Sequence, residues 1–194
     1  MPYSSPNFRA SSGYGDGWFQ KNGFQSWRTA IDDVDDAGRW LVKQGIADPN
    51  KLGIFGWSYG GYAALQSGVT APDLFKAIVA VAPVTDLQRL RDQGKVMSDY
   101  ELRRAFVGSG KHVTEGSPAR NVARIAAPVL MFHGDQDGNV AIGQSQFMQQ
   151  QLQRAGKRSE LITYPGLDHY LEDSVARTDM LQRSESFLRR AFAH

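Results

Sequence analysis

Apolar residues recur along this chain in two rhythms. Between residues 28 and 44 they fall at Ile31, Val34, Ala37 and Leu41, the spacing of one helix face. Ser26 stands where an N-cap belongs, and Gly45 where the helix should stop. Four later stretches, 52–57, 77–84, 128–134 and 159–166, are short apolar runs bounded by turn residues, the mark of strands buried on both faces. Helical patterns separate them. One is "YGGYAALQSG"; a second, 142–155, has Ser145, Met148 and Leu152 on one face; a third, 173–192, turns Met180, Ser184, Phe187 and Ala191 inward. A further short strand is expected at 3–8, ahead of the loop "ASSGYGDG". Strands alternating with helices predict an α/β fold with a mostly parallel sheet covered on both faces. Ligands of such sheets bind beyond the carboxyl ends of the strands.

Residues 85–125 interrupt this rhythm with charged, helical pieces and no strand pattern, long for a connection in a compact domain. They read as an insert that covers a site. The 194 residues otherwise predict one domain. Composition refines the picture mainly by exclusion. Hydrophobic residues at 41% and charged residues at 22% describe an ordinary globular chain. The net charge of +2, with no Lys/Arg run or aromatic-basic patch, argues against a nucleic-acid partner. Cysteine is absent, which removes disulfide and thiolate chemistry. There is no apolar run of membrane-spanning length, and "MPYSSPNFRASSGYGDG" has neither a basic n-region nor an apolar core. A cytoplasmic chain without membrane contact is the expectation.

The candidate chemistry lies in "GWSYGG", directly after the run "KLGIF". A serine flanked by glycines at the end of a strand is the pattern of a nucleophile elbow, a sharp strand-to-helix turn with the hydroxyl at its apex. A chain with 20 glycines can meet this pattern by chance, so context decides. Only loops that follow strands can reach such a serine. Of the four histidines, His112 lies in the insert, His194 is terminal, and His133 sits inside the end of a strand as a structural residue. His169, a few residues past "LITYPG", has the position of a general base. A serine hydroxyl needs an imidazole to take its proton, and the imidazole needs a carboxylate to hold its tautomer. "HGDQDGNV" supplies that carboxylate: Asp137 stands further out, while Asp135 is placed to order the turn. The order Ser58, Asp137, His169 is that of the α/β-hydrolase fold. No phosphate loop is evident, and no residue set has metal-ligand spacing.

"PNFRASSGYGDGWF", "DPNKLGIFGWSYGGYAAL", "LFKAIVAVAPVTD", "SPARNVARIAAPVLMFHGDQDGNV" and "YPGLDH", in that order, resemble the catalytic domain of prolyl oligopeptidase-family serine peptidases over nearly the whole chain. The resemblance implies an α/β-hydrolase fold, Ser58 as nucleophile, Asp137 as carboxylate, His169 as base, and the Tyr59 N–H as one oxyanion donor. It also matches Asn139 to a position that touches a substrate carbonyl in dipeptidyl-peptidase-like members. It implies cleavage of short peptides through an acyl-enzyme, with no metal or cofactor. Family members carry a β-propeller and a glycine-rich segment ahead of this region. The resemblance begins at what would be the fourth strand, so a partial hydrolase domain is expected, with a sheet edge open to dimerisation or self-association. Where proline-cleaving relatives place aromatic residues after "APV", this chain has "TDLQRLRDQG", which argues against a proline-selective pocket. A carboxylesterase on the same fold and a non-catalytic remnant or binding module are the rival readings.

Overall fold

The computed structural model describes residues 3–15, 23–93 and 100–193. Its centre is a sheet of four parallel strands, β1 (Gly53–Trp57), β2 (Ala77–Val81), β3 (Val129–Gly134) and β4 (Ser159–Tyr164), side by side in chain order. Parallel neighbours require crossovers. Helix α2 (Tyr59–Thr70) joins β1 to β2, and α6 (Gly143–Arg154) joins β3 to β4. Between β2 and β3 the described residues form three short helices, α3 (Leu87–Gln93), α4 (Tyr100–Val107) and α5 (His112–Glu115), followed by two single 3-10 turns. Helix α1 (Trp27–Lys43) precedes the sheet and α7 (Ser174–Ala191) follows it.

The apolar runs become strands because both of their faces find helices. Ile78 and Ala80 of β2, with Val129 and Met131 of β3, pack beneath Ala64, Leu65 and Val69 of α2 and Met148 and Leu152 of α6. The alternate residues Val79, Val81, Leu130 and Phe132 meet Met180, Phe187 and Leu188 of α7 on the opposite face. Every residue of β2 is fully buried. A third cluster, built on Phe24, Trp27, Ile31, Tyr62, Leu87, Leu90 and Val140, joins α1 and the start of α2 to the insert.

Several expectations need correction. Residues 3–8 form no strand: residues 3–7 are exposed, Pro6 has no N–H to offer a ladder, and the segment is held by side chains instead. Phe8 stacks on Tyr59 with ring centroids 5.7 Å apart, and the Arg9 guanidinium pairs with Asp33 of α1. Ser26 precedes α1 without capping it, since its hydroxyl turns back to the Gly23 carbonyl at 3.4 Å. The buried face of α1 runs through Ala30, Ile31, Val34 and Gly38 rather than Ala37 and Leu41. Gly45, with φ +68°, does end the helix region. The strands at the two sides, β1 and β4, are only half-buried, because each has one neighbour among the described residues. The aromatic stretch at 16–22 lies outside the described residues.

Candidate functional site

The carboxyl ends of all four strands converge on one cavity of ≈ 360 Å³. Ser58 follows β1, Val84 follows β2, Asn139 and Val140 follow β3, and His169 follows β4; all five line it. Leu90, Arg103, Phe106 and Val107 of the insert form the facing wall.

Ser58 occupies a turn that depends on a glycine at position 56. Its φ of 57° and ψ of −115° are foreign to residues with a β-carbon. The turn is tight enough that a β-carbon at Gly56 would overlap the carbonyl oxygen of Gly60. Ser58 N–H donates to the Val81 carbonyl at 2.8 Å, which ties the turn to β2. Tyr59 is the first residue of α2, so its N–H has no acceptor within the helix. Its ring packs on Phe8, Phe24 and Tyr62, and burial raises its phenol pKa to about 12.

His169 is almost fully buried, and its Nδ1 lies 2.7 Å from Asp137 Oδ2. This leaves Nε2 as the ring's remaining nitrogen. No direct hydrogen bond joins Ser58 Oγ to His169 among the described residues, although both line the cavity; such contacts are often long until substrate tightens them. Asp137 is buried, which alone would raise its pKa. Hydrogen bonds from His133, His169 and the Val140 N–H outweigh that and hold the carboxylate well below its ordinary range. Oδ1 accepts from the N–H groups of Asn139 at 2.9 Å and Val140 at 2.8 Å.

The neighbours divide the remaining work. Asp135 accepts from Gly166 N–H at 2.7 Å, ordering the crossing of two loops as its position suggested. Asp168 accepts from the Tyr170 N–H at 2.9 Å. Asn139 lines the cavity, and its carbonyl accepts from Arg103 Nη1 at 2.9 Å. Below the insert, Gln144 Oε1 accepts from the N–H groups of Thr85 and Asp86, and Arg120 Nε donates to Asp86 at 2.7 Å. That buried network fixes the turn after β2 that carries Val84.

Sequence reasoning missed three supports. Trp57 Nε1 donates to the His169 carbonyl at 3.1 Å, linking the residue before the serine to the histidine loop. Arg177 of α7 donates to the carbonyls of Tyr170 and Leu171, both at 3.0 Å. His133, read as structural, touches Asp137 itself at 3.1 Å. Only the tryptophan left a signal, as the residue between Gly56 and Ser58. No group of three or more His, Cys, Asp or Glu side chains converges to hold a metal among the described residues. No helix among them is long and apolar enough to cross a membrane.

The Peptidase_S9 family model, "Prolyl oligopeptidase family", matches residues 1–194. The chain belongs to the prolyl oligopeptidase family. Among family relatives, dipeptidyl aminopeptidase BIII of Pseudoxanthomonas mexicana is 30% identical over 178 residues, 85% of this chain and 25% of its own. Dipeptidyl peptidase 4 of Bos taurus is 28% identical over 169 residues, 84% of this chain and 21% of its own. The chain thus spans about a quarter of the length of the curated relatives it matches. A solved puromycin-hydrolyzing peptidase of Mycobacterium tuberculosis superposes with a TM-score of 0.87 at 26% identity, over 96% of this chain and 29% of that one. The parallel α/β sheet read from the strand and helix rhythm, and the α/β-hydrolase fold implied by the resemblance, both agree with this superposition.

Proposed function

We propose that this chain carries the catalytic site of a serine peptidase, with Ser58 as nucleophile, His169 as general base and Asp137 as its orienting carboxylate. The observation that carries this reading is the strained serine at the start of α2, in one cavity with a histidine whose other nitrogen is held by a buried carboxylate. Ser58 Oγ attacks the carbonyl carbon of the scissile amide while His169 Nε2 takes the hydroxyl proton. The imidazolium, stabilised by Asp137, returns that proton to the leaving amine nitrogen. A water then attacks the acyl-enzyme with His169 again as base, releasing the acid and restoring Ser58. The Tyr59 N–H is one donor to the developing oxyanion. Asn139, at the cavity rim, is the candidate for holding a substrate carbonyl.

The cavity walls, aliphatic at Val84, Leu90, Val107 and Val140 and aromatic at Phe24, Tyr59 and Phe106, suit a short peptide with an apolar residue at the scissile bond. The relatives named as dipeptidyl peptidases support peptide substrates. A fluorophosphonate probe should label Ser58, located by peptide mass mapping, and should not label Ser58→Ala. Equal labelling of both proteins, or none of the wild type, removes the assignment. Hydrolysis of dipeptide amides beside matched simple esters then separates a peptidase from an esterase. Turnover of esters alone would favour the latter.

A further inference from the structure

We infer that His133 is a positioning residue for the acid–base pair: a second imidazole that braces Asp137 from the side opposite His169 and ties it to the sheet and to α6. The inference rests on the proposed roles of Asp137 and His169, and its grounds are geometric. His133 lies at the end of β3 and is fully buried. Its Nε2 sits 2.8 Å from the Val140 carbonyl oxygen and 3.1 Å from Asp137 Oδ2. A carbonyl and an ionised carboxylate only accept, so a bare nitrogen between them would face two lone pairs. The proton is therefore on Nε2, shared between the two oxygens. The other nitrogen, Nδ1, is 2.7 Å from Ser145 Oγ of α6, whose hydroxyl can donate to it. This assignment leaves no nitrogen of the buried ring without a partner.

The consequence falls on Asp137. Oδ2 receives His169 Nδ1 and His133 Nε2, and Oδ1 receives the N–H groups of Asn139 and Val140. Four donors fill the lone-pair sites a carboxylate offers. The two on Oδ1 come from the loop that carries Asp137 itself, so they move with it. His169 is the group to be positioned. Among the described residues, His133 is the one donor that reaches the carboxylate from a strand of the sheet. Removing that donor frees the carboxylate to pivot about its own loop and carry His169 with it.

A buried histidine could instead serve stability alone, through Val140 and Ser145, and two substitutions separate these roles. Counted along bonds from Cβ, the glutamine side-chain nitrogen sits where imidazole Nε2 does, and the asparagine amide sits where Nδ1 does. His133→Gln therefore keeps a donor toward Asp137, whereas His133→Asn keeps only the contact with Ser145. A hydrogen bond to a charged group corresponds to roughly 10- to 100-fold in rate when lost. His133→Asn should lower the rate of Ser58 phosphonylation by the fluorophosphonate and kcat by about that factor with KM unchanged, while His133→Gln keeps most of both. Equal losses in the two folded variants, or no loss in either, would overturn the inference. If both variants unfold on a circular dichroism melt, Ser145→Ala decides, because it frees Nδ1 at little cost in volume. A reduced phosphonylation rate with unchanged KM then supports the brace, and an unchanged rate overturns it.

Absence of labelling in the wild type would instead sink the proposed function, and an NMR measurement keeps the two failures apart. The His169 Nδ1 proton, held against the carboxylate, should give a far-downfield resonance that needs no turnover. It should persist in His133→Gln and disappear or move sharply in His133→Asn. The same resonance in both variants overturns the positioning role whatever the enzyme does.

Discussion

Replacing Ser58 by glycine should destroy the nucleophile and stabilise the fold. Ser58 holds φ 57° and ψ −115°, a region that costs a residue with a β-carbon about 1–3 kcal/mol. Glycine adopts such angles without the steric cost but gives the unfolded chain more freedom, worth about 0.4–1 kcal/mol against it. The net gain is on the order of 1 kcal/mol, or about 2–4 °C in Tm for a chain of this length. Ser58→Ala is the control, since it removes the same hydroxyl and keeps the β-carbon and its strain. The Ser58 N–H bond to Val81 at 2.8 Å is backbone and survives in both. Differential scanning calorimetry of the three proteins, with fluorophosphonate labelling to confirm that both variants are dead, gives the comparison. A glycine variant that melts at or below the alanine variant would refute the claim that strain is stored at this turn.

Asp137→Asn should reduce turnover by about 10⁴, as expected when a base loses the carboxylate that sets its tautomer, with activated-ester hydrolysis as the assay. The same variant tests a pH linkage. Asp137 has a folded pKa below its unfolded value, so its stabilisation is present above the ordinary aspartate range, near 3.9, and fades as pH falls through the lower folded value. Urea unfolding should show the gap between wild type and variant constant above about pH 5 and shrinking below about pH 3; a gap that widens on acidification contradicts it. Trp57→Phe loses the donor to the His169 carbonyl and should lower kcat by about 2- to 10-fold without changing the melting profile; an unchanged kcat shows that the link is idle. Finally, β1 pairs only with β2 among the described residues and leaves Phe55 half exposed on that side strand. Self-association should therefore run through β1, and Phe55→Lys should suppress it in light scattering. A wild-type chain monodisperse at every concentration would end that expectation.

The parts of the fold legible in the sequence were those set by burial. The runs at β2 and β3 are apolar throughout because helices cover both faces, and their positions were readable to within a residue at the start of each. The end of β3 at Gly134 was readable too, but that of β2 was not, since Pro83 and Val84 continue the apolar pattern after the ladder with β3 has stopped at Val81. Residues 3–8 looked like a strand on composition, but strand formation depends on a neighbour, which composition does not report. In the site, Asp135 and Asp137 could be assigned apart because position along a strand-end loop limits what a short carboxylate can reach. The brace through His133 could not be read. A histidine inside a buried strand points to one side or the other, and which loop folds back over it depends on Val140 and α6 arriving from later in the chain.

Backbone strain locates the same site without reference to any motif. Four non-glycine residues among those described have positive φ: Ala10, Ser58, Ala82 and Leu171. Three of them stand at the carboxyl edge of the sheet, directly after β1, directly after β2 and two residues past His169. A β-carbon in this region is unfavourable, so each must be held by its surroundings. Ser58 N–H is fixed to Val81, and Ala82 N–H to the Phe132 carbonyl at 2.8 Å. Leu171 is fully buried against the α7 face, and its carbonyl is gripped by Arg177. The anchors of Ser58 and Ala82 are strands of the sheet, and the Leu171 carbonyl accepts from both Arg177 of α7 and the N–H of Asp173, which precedes that helix. Strands β2 and β3 and helix α7 therefore do more than bury apolar area: they hold the serine turn and the histidine loop in backbone conformations that neither segment would keep alone. A substitution that loosens an anchor far from the cavity, such as one at Arg177, should be felt at His169 before it is felt in the core.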